Sequence, residues 1–323
     1  MTEPQAPTVD VIITCYNEGD FIEEAVASVL SQTRVDRVGR IVIADDGSDA
    51  ETRTVLQRIE TAEPRAQVIY GPGGAGPARQ RNLAVEVTGA PYIAFLDADD
   101  YWTPTKLEAQ LPLLDADADV GLVYTDYFAF SDGNPAAARQ AGAVDLSGAE
   151  DQTRAYFLND PPILPSTVVL RRAAFNRAGR FDAAIAMFEE TDLWLRMSRV
   201  CRFGFVAAPH LYKRFRAQSM TGTQRDLMPD HALVAAKAVG YAPDLLELVP
   251  RRLSERARKL GNHRFLQGDK DEAARLLRLA VRLDPSNARA WPYWAAATLF
   301  PALSNRLLAG RVRKRRDAIG AGQ

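Results

Sequence analysis

The run Tyr92-Ile93-Ala94-Phe95-Leu96-Asp97-Ala98-Asp99-Asp100-Tyr101-Trp102 constrains this chain more than any other stretch. A short apolar segment of strand length stops abruptly in Asp97, Asp99 and Asp100, three carboxylates within four residues. Carboxylates this close repel one another unless a cation lies among them. Hard divalent cations such as Mg²⁺ or Mn²⁺ take oxygen ligands and usually keep substrate phosphates as further ligands. The plainer alternative is a solvated acidic loop behind a buried strand. Against it stands the order of the N-terminal half, where other acidic and hydroxyl residues follow apolar runs in the same way.

Residues 9–14 (VDVIIT) read as a buried strand, followed by a polar turn over 15–20. Phe21, Ile22, Ala25, Val26, Val29 and Leu30 share one helical face within 21–32. A second strand, 40–44 (RIVIA), runs into Asp45-Asp46-Gly47-Ser48-Asp49. The pattern then predicts a helix over 51–61, a strand over 67–70, a glycine-rich turn over 71–76 and a helix from Pro77 to about Val87. Residues 92–96 give a fourth strand. Such alternation indicates an α/β fold, a largely parallel sheet with helices on both faces. Ligands of these sheets gather at the carboxyl ends of the strands. Thr14, Asp45, Asp46, Asp97 and Asp99 all fall there.

A chain of 323 residues suits two domains, or one large domain with an appendage. The reading divides it at 1–120, 121–226 and 227–323. In the middle portion, 120–130 and 167–170 look like strands, 132–151 like a loop and 189–200 (EETDLWLRMSRV) like a helix. Beyond 227 the patterns are helical. Within them, 254–287 fits one tetratricopeptide-like helix–turn–helix unit, with Leu260, Gly261, Gly268, Ala273, Leu277, Ala280 and Pro285 at the close-packing positions. One such repeat cannot bury its own face, so it would pack on the rest of the chain, a partner or a second copy in a homodimer. An ordinary helical hairpin is the simpler reading.

Forty basic and forty-one acidic residues leave a formal charge of −1, so no global field points to nucleic acid. Two cysteines make no disulfide framework. Residues 1–7 are polar and include Glu3, unlike a signal peptide, and no clean apolar stretch reaches the length of a membrane-spanning helix. The expected location is cytoplasmic. Near the C-terminus, Trp291, Tyr293, Trp294, Leu299, Phe300, Leu303, Leu307 and Leu308 precede a basic cluster over 311–316. That combination suits peripheral association with an anionic membrane at its inner face. Pro292 and Pro301 argue against a single spanning helix.

Taken in order, the segments 11–18 (VIITCYNE), 44–49 (ADDGSD), 81–85 (RNLAV) and 97–100 (DADD) resemble the motifs of the family 2 glycosyltransferases, inverting enzymes of the GT-A fold, which is Rossmann-like. The resemblance covers about residues 8–219. It implies a nucleotide-diphosphate sugar as donor, UDP- or dTDP-type favoured, with Mn²⁺ or Mg²⁺ as cofactor. It places Thr14 and Asp46 at the nucleoside, with Tyr16 and Glu18 in the neighbouring turn. Arg81 would lie near the base or the diphosphate as a bidentate donor. Arg79 is its rival, since spacing alone does not separate the two. Asp97 would face the ribose and the metal, and Asp99 would bind the metal. Asp100 would orient the turn, and Tyr101 and Trp102 would pack.

Inversion needs a general base opposite the leaving group. The family carries a Glu-Asp pair there, and the matching residues are Glu189-Glu190, followed by Thr191-Asp192. The resemblance therefore implies Glu190 as base, one methylene longer than the expected aspartate. Asp192 is the rival, although a helix turns it away from Glu190. An acidic first turn complementing the helix dipole is the plainer reading of all three. The Gln-x-x-Arg-Trp motif of processive synthases does not occur, so one sugar per encounter is expected, on a glycan, lipid-linked or protein-bound acceptor. His210, His231 and His263 show no metal-ligand spacing. Two other classes bear weighing. A sugar nucleotidyltransferase would need a basic glycine-rich loop after the first strand, where this chain has Cys-Tyr-Asn-Glu-Gly. A degenerate domain would act as a scaffold through its helical tail.

Overall fold

The structure is a computed structural model, and it describes residues 8–131, 134–216 and 226–298. The chain divides into two compact units. The first holds what is described before Asp226 apart from Phe157–Asn159; the second holds those three residues and the helices from Asp226 onward.

In the first unit, β1 (Val9–Cys15), β2 (Val38–Asp45), β3 (Ala66–Tyr70) and β4 (Tyr92–Asp97) lie parallel in the order β3-β2-β1-β4. Parallel neighbours need crossover connections, and α1 (Gly19–Leu30), α2 (Ala50–Ala62) and α3 (Pro77–Glu86) supply them. Consecutive residues Val11, Ile12 and Ile13 are all fully buried, so β1 is covered on both faces, as the apolar run over 11–13 requires. One face packs Val11, Ile13, Ile41 and Ile43 with Ile22, Val26 and Leu56 of α1 and α2. Beneath the other, Phe95 of β4 meets Phe175 and Phe181 at centroid distances of 6.2 and 5.4 Å. The register sets Thr14 beside Ala44 and Asp97, and Cys15 beside Asp45. The polar strand ends thus share one edge of the sheet.

The remaining strands are β5 (Tyr101–Trp102), β6 (Val120–Ser131), β7 (Arg139–Gln140), β8 (Val169–Arg171) and β9 (Arg202–Phe215). They continue the sheet as β4-β8-β6-β9-β5, with β7 on β6. β8 is antiparallel to both β4 and β6, while β9 runs parallel to β6 and antiparallel to β5. The helices of this half are α4 (Lys106–Ala116), α5 (Gln152–Asn159), α6 (Arg172–Ala178) and α7 (Glu189–Met197).

The elements of the first half lie where the periodicity predicts them, within a residue or two. The second half departs further. The strand expected over 167–170 is β8, starting two residues later behind a 3-10 turn, Pro165–Thr167, and the helix expected over 189–200 stops at Met197. The long strand β9 has no counterpart in the sequence reading. Its alternation breaks in mid-strand: Thr125 pairs with Val206 but Asp126 already pairs with Pro209, so Ala207 and Ala208 bulge out. Proline is confined to such places in a sheet, and the period-2 signal does not survive them.

The second unit contains α8 (Met228–Tyr241), α9 (Val249–Gln267), α10 (Lys270–Leu283) and α11 (Ala290–Thr298). Asp269 caps α10 by accepting from the Glu272 N–H at 3.2 Å. Gly261 of α9 lies so close to α10 that a Cβ there would come within 2.8 Å of Leu277 Cγ, so only glycine fits at this crossing. Met228, Ala257, Leu276, Ala280 and Ala290 form the core. The basic cluster over 311–316, and Leu299, Phe300, Leu303, Leu307 and Leu308 before it, lie outside the described residues. Among the described residues no helix is long and apolar enough to cross a membrane.

Candidate active site

Three loops meet at the carboxyl ends of β1, β2 and β3. Asn17, in left-handed conformation at φ 55°, accepts from the Asp49 N–H at 2.8 Å, and its own N–H donates to Ser48 Oγ at 2.9 Å. Asp45 is fully buried and accepts from the Ser48 N–H and from Arg53. Asp46 binds the glycine-rich loop: it accepts from the N–H groups of Ala75 and Gly76 at 2.9 and 2.8 Å and from Gln80 Nε2 at 2.8 Å. Gly47 makes this possible, with φ +80° and the site of a Cβ only 2.5 Å from Gly73 Cα. Tyr16 is 58% exposed at the mouth, and Arg79 points to solvent.

The acidic turn follows β4. Thr14 Oγ1 donates to Asp97 Oδ1 at 3.3 Å, and the Arg81 guanidinium donates to the same oxygen at 2.8 Å. Ser166 holds the turn from below: its Oγ accepts from the Asp97 N–H at 3.0 Å and donates to Asp100 Oδ2 at 2.9 Å. Its carbonyl accepts from the Trp102 indole at 2.9 Å. Trp102 in turn carries the buried Lys106 Nζ 4.4 Å from its ring centre. Burial pushes Lys106 well below the usual lysine range, and its Nζ donates to Gln110 Oε1 at 2.6 Å. Tyr101 stacks on Tyr212, with centroids 4.7 Å apart.

Three cations answer these carboxylates, two of them from β9 and the residue just past it. Lys213 Nζ lies 3.2 Å from Asp100 Oδ1, 3.7 Å from Asp99 Oδ1 and 3.8 Å from Asp97 Oδ2. Arg216 donates to Asp99 Oδ2 at 3.0 Å and pairs with Glu18. Burial favours a neutral Asp97, but Arg81 and Lys213 outweigh it and hold that carboxyl below its usual range. Burial, and then the charge of Asp99, pushes Glu18 up to about 8. Sequence reasoning missed Lys213, Arg216 and Ser166. The signal available was the density of basic residues over 213–216 (KRFR), which carries no position without the strand.

Helix α7 presents the other acidic group. Phe188 enters it in left-handed conformation at φ 67°, and Glu189, Glu190 and Asp192 occupy the first turn, where the helix dipole favours negative charge. Arg81, 5% exposed, joins this helix to the acidic turn, because its second nitrogen donates to Glu189 Oε1 at 2.8 Å. Its guanidinium also lies 5.3 Å from the Phe181 ring centre. Glu190 is half-buried beside Glu189, and burial, followed by the neighbouring charge, pushes it up to about 8. Asp192 is fully buried and takes two nitrogens of Arg196, at 3.0 and 2.7 Å. Arg196 is further anchored to the carbonyls of Ala178 and Arg180.

The arrangement gathers the strand-end carboxylates, the Arg81 and Arg216 guanidinia and the Lys213 ammonium, with the Glu189-Glu190 pair of α7 joined to them through Arg81. Among the described residues no three His, Cys, Asp or Glu side chains are placed to hold a metal unaided. The donor set still fits a hard divalent cation. Asp97 Oδ2 and Asp99 Oδ1 face the same Lys213 Nζ at 3.8 and 3.7 Å, and Mg²⁺-type sites use one or two carboxylates completed by substrate phosphates. At the opposite ends of the strands, a cleft of about 620 Å³ borders Asp10 and Arg40. Asp10 there accepts from the main-chain N–H groups of Arg40, Gly89 and Ala90, which is a structural use.

A family model described as glycosyl transferase family 2 matches residues 10–179, just over half of the chain. Over 108 residues the chain is 42% identical to the putative teichuronic acid biosynthesis glycosyltransferase TuaG of Bacillus subtilis, covering 33% of this chain and 42% of that one. Over 120 residues it is 36% identical to the UDP-Glc:alpha-D-GlcNAc-diphosphoundecaprenol beta-1,3-glucosyltransferase WfaP of Escherichia coli, covering 37% and 46%. The chain thus spans less than half the length of these two curated relatives. The crystal structure of S. aureus TarS 1-349 in complex with UDP-GlcNAc superposes with a TM-score of 0.63 over 90% of each chain, at 15% identity. That likeness establishes the fold as GT-A. With the motif order, the strand-end acids and the family match in agreement, the chain belongs to glycosyl transferase family 2.

Proposed function

We propose that this protein is an inverting glycosyltransferase of cell-envelope polysaccharide synthesis. It takes a sugar from a nucleotide-diphosphate donor, UDP- or dTDP-type, and adds it once per encounter to a hydroxyl of a glycan, lipid-linked or protein-bound acceptor. One observation carries the reading. A single buried guanidinium, Arg81, ties the acidic turn through Asp97 to the opening of α7 through Glu189, so donor-side and acceptor-side carboxylates are held in one frame. The names of TuaG and WfaP supply the polymer class and the UDP-sugar type.

In this reading Thr14, Tyr16, Glu18 and Asp46 line the nucleoside side, and Asp97 faces the ribose. Asp46 then exchanges some of its contacts to the glycine-rich loop for the base. A divalent cation, when bound, supplies Lewis-acid stabilisation of the leaving diphosphate, and Asp97 and Asp99 are the residues that would hold it. Glu190 accepts the proton of the acceptor hydroxyl as its oxygen attacks the anomeric carbon and the bond to the diphosphate breaks. Its raised proton affinity makes it a better base than an ordinary carboxylate. Asp192 is committed to Arg196 and serves the helix rather than the proton. Arg81 positions both acids, and Arg79 stays at the surface.

The proposal extends to organisation. A donor-binding portion reaches to about residue 120, an acceptor-binding portion to about 226, and the helical remainder carries the tetratricopeptide-like hairpin of α9 and α10. Calorimetric titration of UDP, dTDP and GDP, with Mn²⁺ and with EDTA, tests the donor site. Metal-dependent binding of UDP or dTDP that disappears in Asp99→Ala is the expected result. Absence of binding by all three would refute the donor reading and favour a scaffold.

A further inference from the structure

The oxygens around the acidic turn are divided in an uneven way. Asp97 Oδ1 is taken by Thr14 and Arg81, and Asp99 Oδ2 by Arg216. The two oxygens left over, Asp97 Oδ2 and Asp99 Oδ1, both turn to the ammonium of Lys213, at 3.8 and 3.7 Å. These are the same two oxygens that would hold a divalent cation. Asp100 anchors the ammonium at 3.2 Å, and Asp100 is itself fixed by Ser166 Oγ and by the Arg214 N–H at 3.2 Å. The lysine is therefore seated by the fold and is not a wandering surface charge.

We propose that Lys213 is the resident counter-ion of the acidic turn and competes with the divalent cation for Asp97 Oδ2 and Asp99 Oδ1. A divalent ion bonds such oxygens at about 2.0–2.2 Å, so it and Nζ would be neighbouring cations between the same two carboxylates. Their mutual repulsion makes the two occupancies exclusive while no further negative charge is present. The diphosphate of a donor supplies that charge. It gives the ammonium a second anion to face and gives the metal its remaining ligands. Cation and nucleotide consequently enter together, and without nucleotide the turn stays neutralised by Lys213. The nucleotide part rests on the donor-site reading above; the competition between Lys213 and the metal does not.

Mn²⁺ binding to the full chain, followed by electron paramagnetic resonance with and without UDP, tests this on wild type, Lys213→Gln, Lys213→Met and Lys213→Arg. Without nucleotide, Lys213→Gln and Lys213→Met should bind Mn²⁺ at least tenfold more tightly than wild type, while Lys213→Arg stays near wild type. UDP should tighten Mn²⁺ binding to wild type by more than tenfold and to the two neutral variants by much less. Neutral variants that bind nucleotide-free Mn²⁺ no better than wild type overturn the proposal. Should both neutral variants fail to fold, the wild type alone decides: UDP that binds, by calorimetry, yet leaves the Mn²⁺ affinity unchanged overturns it. Failure of every form to bind UDP, with the tenfold difference intact, would leave Lys213 in this role and refute the donor reading instead.

Discussion

The two halves of the nine-stranded sheet contribute opposite charges to one place. The parallel half, β3-β2-β1-β4, ends its strands in Asp45, Asp46, Asp97 and Asp99. The mixed half returns Lys213 and Arg216 to Asp97 and Asp99 at the end of β9 and carries Glu189 and Glu190 on α7. Among the described residues only Arg81, on α3, supplies a cation from the first half to the acidic turn itself, and it is shared with Glu189 of the second. Neither half makes a working site alone. A carboxylate cluster without its cations would be costly to bury, and the cations without it would have nothing to order them. In the proposed reading the division also separates tasks, one half holding the donor diphosphate and the other taking up a proton.

The largest effect should come from breaking the proton-accepting side alone. Glu190→Gln is expected to lower turnover about a hundred- to ten-thousand-fold while nucleotide binding, read by calorimetry, stays near wild type. Equal losses in both would mean that the two sides are not separable. The pH dependence sharpens the same point. Glu190 lies near 8 in the folded chain against an ordinary 4.5, so kcat/KM should rise with pH and level off above about 8. The sign for stability is the reverse. Between those values the folded chain holds a proton that the unfolded chain has released, so Glu190's contribution declines as pH rises through that window. Glu190→Gln should flatten that part of the slope in denaturant titrations.

Next in size is the tie between the halves. Arg81→Met leaves Asp97 and Glu189 facing a buried apolar side chain, and should cost about 4 kcal/mol in urea unfolding. A loss under about 1 kcal/mol would show that Asp97 and Glu189 do not depend on Arg81. Asp192→Asn should cost about 3 kcal/mol by stranding Arg196, yet keep the activity per folded molecule. Turnover falling as far as in Glu190→Gln would make Asp192 the base instead. The smallest effect belongs to the parallel half by itself. Gly47→Ala, at φ +80° and against Gly73, should cost about 2 kcal/mol and weaken nucleotide binding without moving the pH profile.

Legibility followed the same line between the halves. Residues 9–14, 40–44 and 92–96 announce β1, β2 and β4 because a buried parallel strand is a near-continuous apolar run, here 11–13, 41–44 and 92–96, and the polar residues that end it are adjacent in sequence. The β9 strand was illegible because its bulge at Ala207-Ala208 shifts the alternation and its C-terminal part carries charges for a purpose that sequence does not display. Asp192 and Glu190 look alike in sequence, two positions apart in one acidic turn. Only packing shows that one is closed off by Arg196 and the other is not.

What the sequence determined by itself is the set of strand-end acids, the helix that starts at Glu189 and the family to which they belong, since each depends on residues a few positions apart. What only the tertiary structure decided is how those acids are neutralised. Arg81 reaches Glu189 across 108 positions, and Arg216 reaches Glu18 across 198. No local pattern encodes such a pairing, because it arises from two helices and the ends of two strands packing together, and the low dielectric of that junction then makes an unpaired charge there costly.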